Sequence, residues 1–284
     1  MDRQRHVLSR TAAAAVLSLL AVTSCGGTES GRARSIDKRW EAYVEPTVTP
    51  GAVLDLDFDQ AAGPGDVVPR LKNEGSARVQ IALALTGGGR FVWARGRDGG
   101  GAVRTPAYAP SGTIPGAAIV VQPVAGEPDR LSPGRADFSF GLDFRPDAAP
   151  PGRPGDDGDN LLQRGRYGAA PQYKLQLDQG VPSCRVQGSA GEALVKADRA
   201  VQAGRWYRLE CGRRGGRVTL TLLDLGTLQR KQWVHNGDVG AMDFSGGSAA
   251  PLSVAAKVGS NGQLDTGSLD QYHGEVDRVF LDVR

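Results

Sequence analysis

The chain has 284 residues, and its 34 lysines and arginines face 31 acidic residues, for a net charge of +3. Hydrophobic residues make up 40% of it, too many for a disordered charged tail. Forty glycines and seventeen prolines, about a fifth of the chain, show no Gly-X-Y period, which excludes collagen and favours turns and strands over helices.

The first element is a leader. Arg3, Arg5 and Arg10 precede a small, apolar run from Thr11 to Ser24, TAAAAVLSLLAVTS. A basic start followed by ~7–15 apolar residues is a secretory signal, too short for a stable membrane span. Its end, Leu20-Ala21-Val22-Thr23-Ser24-Cys25, resembles the bacterial lipobox, in which the Cys is acylated and becomes the mature N-terminus. The resemblance implies lipidation at Cys25 and anchorage on the outer membrane face; the alternative is an ordinary signal peptide cleaved nearby. Removing residues 1–24 takes away three arginines and one aspartate and leaves a net charge of +1. A nucleic-acid partner would need a basic surplus in the folded part, so none is expected. Residues 25–51 read as a linker opening on Gly, Thr and Ser, with a helical turn or two over Ser35–Val44. The folded domain is expected over 52–284.

From Ala52 onward the pattern has period two. Strands are expected at Val53–Phe58, Arg78–Leu85, Arg90–Ala94, Ala117–Gln122 and Asp137–Phe144. In the last of these Phe138, Phe140, Leu142 and Phe144 share one face, the alternation of a half-buried strand. Further strands are expected at Asn160–Gln163, Gln172–Leu177, Ser183–Gly188, Leu194–Val201, Trp206–Cys211, Arg217–Leu222, Leu228–Val234, Leu252–Val258 and Glu275–Val283. The last steps by three residues from Val276 to Val279 and then by two, which predicts a bulge at Asp277-Arg278. Strands at this density, separated by Gly, Pro and Asp, predict an all-β, two-sheet antiparallel jelly-roll sandwich.

The segments DFSFGLDFRPD, LLQRG, QYKLQLDQGVPSCRVQG, AGRWYRLECGRRGGRVTLTL and DQYHGEVDRVFLDV, in that order, resemble the LamG-like jellyroll of the concanavalin A-like lectin/glucanase superfamily. Asp137-Phe138-Ser139, Gly204-Arg205-Trp206 and Tyr272-His273-Gly274-Glu275-Val276-Asp277 carry the likeness, which runs from about Ala52 to Arg284. Where family members turn at Val-Asp-Gly, this chain has Leu223-Asp224-Leu225-Gly226. The resemblance implies a concanavalin A-like sandwich and a binding role.

Cys184 and Cys211 lie on the apolar phase of their strands and form an even pair in an exported domain. That predicts a disulfide, with two buried free thiols as the alternative. Catalytic residues are harder to find. Retaining glycoside hydrolysis needs two carboxyls ~5.5 Å apart, and Glu275-Val276-Asp277 is followed by Val279 and Phe280 instead of a second acid. Asp55, Asp57 and Asp59 share a strand face without a Glu. The two histidines outside the leader, His235 and His273, stand in separate loops, too few for zinc or a serine triad. No catalytic residue is therefore assigned.

Calcium is the cofactor the sequence admits. Asp156, Asp157 and Asp159 with Asn160 offer hard oxygen ligands in a Gly-rich loop, although a solvated acidic turn explains them as well. Trp206 and Trp233, on or beside strands, are the candidate sugar-stacking aromatics. Together these readings predict a non-catalytic, membrane-anchored surface module for a glycan or an extracellular protein. The alternatives are a divergent carbohydrate-active enzyme working through Glu275 or Asp57, or a structural envelope lipoprotein.

Overall fold

The computed structural model describes residues 51–59, 63–109, 114–148, 158–245 and 250–284. The leader, Cys25, nearly all of the linker, and Asp156 and Asp157 lie outside these residues.

Among the described residues there are fifteen strands and no helix. They are β1 (Leu54–Leu56), β2 (Val79–Thr86), β3 (Val92–Arg95), β4 (Gly101–Arg104), β5 (Gly116–Pro123), β6 (Phe138–Pro146), β7 (Asp159–Arg164) and β8 (Gln172–Asp178). The remainder are β9 (Val181–Gly188), β10 (Gly191–Lys196), β11 (Tyr207–Arg214), β12 (Arg217–Asp224), β13 (Gln229–Asn236), β14 (Leu252–Val254) and β15 (Gly274–Val283). One sheet, here sheet A, runs β13-β12-β11-β6-β15-β4-β3, with β1 also paired to β15. The other, sheet B, runs β10-β9-β8-β7-β14-β5-β2. All ladders are antiparallel, and consecutive hairpins alternate with long crossings between sheets, which is a jelly-roll sandwich.

The inward phases meet in one core. Sheet A supplies Phe138, Phe140, Leu142 and Phe144; sheet B supplies Ile119, Leu162, Tyr173 and Leu175. Phe140 and Tyr173 bridge the layers at 5.0 Å between ring centroids, and the Tyr173 hydroxyl donates to the Leu131 carbonyl at 3.1 Å. Aromatic pairs at this distance add to the burial of their apolar area. The Cys184–Cys211 disulfide crosses the same interior and ties β9 to β11. Closing a loop of 27 residues stabilises by roughly 3.5 kcal/mol on the chain-entropy view.

The expected bulge in β15 is present, because its register to β6 shifts between Asp277 and Phe280. Arg278 takes φ 46°, and the Asp277 carboxylate accepts its N–H at 2.7 Å. The bulge also marks where β15 changes neighbour, from β4 at Glu275–Val276 to β1 at Val279–Leu281. Without the extra residue, every side chain beyond it would face the wrong layer. Gly141, directly opposite Phe280, is required there, since a Cβ would meet the Phe280 ring carbons at 2.8 Å.

Two expectations of extent differ. The strand expected at Leu194–Val201 begins earlier, at Gly191, and ends at Lys196; the one expected at Leu252–Val258 stops at Val254. In the second case the chain leaves the sheet and folds back over it, so that Ala256, Val258 and Leu264 cover Ala84, Ala118 and Val120. That apolar patch has the composition of a strand but serves as a lid on β2 and β5.

Candidate functional site: the outer face of sheet B

Each sheet turns one face to the core and one away from it, and the two outer faces differ in chemistry. On sheet A the outward phase is charged and paired. Arg208 on β11 grips Asp143 on β6 through two hydrogen bonds, Nε at 2.6 Å and Nη2 at 2.8 Å. Glu275 is held by Arg145 and, at 3.2 Å, by Arg104, which also clamps Asp147. Arg278 pairs with Asp98, and Arg284 with Asp282.

Asp277 stands directly opposite Asp143 in the ladder. Burial, and then the charge of Asp143, push its carboxyl up to about 8, so it keeps its proton at neutral pH. Burial raises Asp143 as well, and the hydrogen bonds and charge of Arg208 oppose that rise. Both are under 5% exposed. Glu210, further along the face, is also raised by burial against the fields of Arg230 and Arg208.

Sheet B's outer face carries amides. Across β7, β8 and β9 the outward positions are Gln163, Gln172, Lys174, Ser183, Arg185 and Gln187, with Gln163 opposite Lys174, Lys174 opposite Arg185, and Gln172 opposite Gln187. Gln163 is 3% exposed, while Gln172 and Ser183 are each 1% exposed. Their cationic neighbours are neutralised: Arg185 donates to Glu192 at 2.6 Å, and Lys174 stands 3.5 Å from Asp270. Burial lowers the Lys174 ammonium, and Asp270 partly restores it.

The amides are not satisfied. Gln163 and Gln172 both send Nε2 to the carbonyl of Gly165, at 2.6 and 3.5 Å. The oxygens Oε1 of Gln163, Gln172 and Gln187, and Oγ of Ser183, are buried and have no hydrogen-bond partner. A buried polar atom left unpaired costs about 1–3 kcal/mol, so four on one face are a concentrated expense. Gly165 is what orients two of them: it adopts φ +88°, and a Cβ there would meet the Pro171 carbonyl oxygen at 2.2 Å. Beside this floor, in the turn between β7 and β8, Tyr167 is 76% exposed, and the Arg185 guanidinium lies 4.8 Å from its ring centroid. An aromatic ring held in place at the edge of a polar floor is suited to stacking on an apolar face of a ligand.

The residues singled out from sequence lie elsewhere. Trp206 is half-buried just before β11, with the Arg145 guanidinium 5.5 Å from its ring. Trp233, on β13, pairs with Leu220 and packs against the core. Asp159 opens β7 opposite Leu177. Glu275 is buried among its arginines, and Asp57 accepts the backbone N–H of Asp59 at 3.1 Å. His273 is buried against the Pro106 carbonyl at 2.7 Å and the ring of Tyr108. Among the described residues no group of three or more His, Cys, Asp or Glu could hold a metal ion. The sheet B amides were visible in the sequence as the polar phase of QYKLQLD and VPSCRVQG. The missed signal is that this phase sets Gln and Ser beside Lys174 and Arg185 in place of an alternation of charges.

No family model and no curated protein matches the chain. Similar solved structures include domain 4 of AbnA, a GH43 extracellular arabinanase from Geobacillus stearothermophilus, in complex with arabinotriose. It is 14% identical, with 81% of this chain and 91% of that one covered and a TM-score of 0.49. The full-length tailspike protein 2 of Escherichia coli O157:H7 bacteriophage CAB120 is 13% identical, with 74% and 26% covered and a TM-score of 0.49. The receptor-binding domain of botulinum neurotoxin type G is 9% identical, with 82% and 48% covered and a TM-score of 0.49. The chain thus spans about a quarter of the tailspike and about half of the neurotoxin domain. The jelly-roll assignment rests on the strand order of this chain itself.

Proposed function

We propose that this chain is a non-catalytic glycan-binding module that works outside the cytoplasm, and that its ligand lies on the outer face of sheet B. The observation that carries the reading is the group of buried, unpaired polar atoms, the amide oxygens of Gln163, Gln172 and Gln187 and the hydroxyl of Ser183, next to the exposed ring of Tyr167. Orphaned polar atoms are tolerated where a ligand or water completes them, and sugars bring hydroxyls and an apolar ring face together. The strand order and the motifs from Asp137 onward support a LamG-like, concanavalin A-like domain over 52–284, while fold by itself assigns no ligand.

The same proposal places the chain on the outer membrane face, anchored through Cys25 after removal of 1–24, with 25–51 as spacer. An inter-sheet disulfide suits an oxidising compartment. Calcium held by Asp156, Asp157 and Asp159 is an accessory part of the reading, and calorimetric titration with Ca²⁺ decides it. The test of the main claim is a panel of immobilised oligosaccharides probed with the native chain and with Tyr167→Ala. Retention on at least one glycan, weakened about tenfold by the substitution, supports the reading. Retention that is indifferent to Tyr167, or turnover abolished by Glu275→Gln, moves the function to another site.

A further inference from the structure

The orientation of the sheet B amides carries a rule about the ligand's charge, and the rule rests on the reading just given. Gln163 is the clearest case. Its Nε2 donates to the Gly165 carbonyl, and exchanging nitrogen and oxygen would set two oxygens against each other, so Oε1 is fixed as the group without a partner. Gln172 leans on the same carbonyl in the same sense. With Gln187 Oε1, three orphaned amide oxygens stand on adjacent strands, two of them on a directly opposed pair. All three are acceptors only, while the unpaired Ser183 hydroxyl on this face can also donate. The cations within this floor do not reverse that polarity, because Lys174 faces Asp270 and Arg185 is engaged by Glu192.

We infer that this face selects a neutral, hydroxyl-rich saccharide and rejects uronates and sulfated glycans. A hydroxyl brings the hydrogen each amide oxygen lacks, and it replaces a water molecule in kind. A carboxylate or sulfate brings only acceptors, which would face Gln163, Gln172 and Gln187 oxygen to oxygen. It would also compete with Asp270 and Glu192 for ammonium and guanidinium groups that already have partners. Discrimination of this kind is strong, since a ligand that leaves buried polar groups unpaired loses more than one that lacks a methylene.

Titration calorimetry on the native chain tests the rule with two sets of oligosaccharides. The neutral set is arabinan, xylan, glucan, mannan and galactan; the acidic set is glucuronan, mannuronan, galacturonan and chondroitin sulfate. The expected result is that the best neutral ligand binds at least about tenfold more tightly than any acidic one. Its affinity should be unchanged between about 50 and 500 mM salt and should fall about tenfold in Gln172→Leu and in Gln187→Leu. An acidic glycan that binds best, through a site weakened by Tyr167→Ala, overturns the charge rule while leaving glycan binding at this face intact. Failure of all nine to bind overturns the glycan reading itself, and the rule with it.

Discussion

The two outer faces of this sandwich are built from the same alternation, yet they treat polarity in opposite ways. On sheet A, Asp143, Glu275 and Asp282 each have an arginine partner, and Asp277 escapes the need for one by keeping its proton. On sheet B the charges are paired as well, but the amide oxygens between them are not. In the first arrangement none of these four carboxyls leaves a buried unpaired oxygen among the described residues. The second is incomplete, because its buried amide oxygens lack donors. Burial alone therefore does not separate structural from functional polar residues. Whether hydrogen bonding is complete does.

Substitutions with opposite signatures on the two faces sharpen the contrast. The largest loss of stability is expected from Arg208→Leu, which leaves the Asp143 carboxylate buried without its partner and costs about 3–5 kcal/mol. Urea unfolding measures the loss, and glycan affinity should stay unchanged in the folded fraction. Replacing Cys184 and Cys211 together by Ala severs the link between the sheets and should cost roughly 3.5 kcal/mol on the same assay, again without altering the binding face.

Asp277 gives a smaller, pH-dependent effect. Its folded value of about 8 lies above the ordinary carboxyl value of 3.8, so the folded state holds the proton more tightly than the unfolded chain. The contribution is complete below about pH 4 and is lost as pH rises towards 8, at up to about 1.4 kcal/mol per unit. Asp143, Asp98 and Arg278 are the charges that act on it. Asp277→Asn, unable to titrate, should lack that slope while its amide oxygen still accepts the Arg278 N–H; an unchanged slope would break the account of sheet A. The smallest loss of stability should come from sheet B. Gln172→Leu removes an unsatisfied acceptor and should leave stability unchanged or raise it by up to about 1–3 kcal/mol, while weakening glycan binding about tenfold. If it destabilised as Arg208→Leu does, the faces would not differ in kind.

Much of the architecture was legible from period-two alternation. The Phe138–Phe144 strand, the Tyr173–Leu177 strand, the bulge at Asp277-Arg278 and the cysteine pair all announce themselves locally, because each follows from which neighbours share a face. β4 was missed, since GAVR has only four residues and a glycine opens it, so there is too little alternation to detect. Ala256 and Val258 were expected in a strand because they are apolar, and only the tertiary fold turns them into a cover for Ala118 and Val120. The site was hidden for a related reason. Alternation marks Gln163, Gln172 and Gln187 as polar and outward, but their burial and unmet hydrogen bonds depend on Gly165, Asp270 and strand pairing far apart in the chain. Aromatics drew attention to Trp206 and Trp233, whereas the most exposed ring on the sheet B side is Tyr167, in a short turn without alternation.

The central claim, that ligand binds sheet B and not sheet A, is tested most directly by amide hydrogen exchange with and without a saturating neutral oligosaccharide. Exchange should slow in β7, β8 and β9 and in the Gly165–Pro171 turn, while β6, β11 and β15 remain unchanged. Slowing centred on β6 and β11, around Asp143 and Arg208, would contradict it.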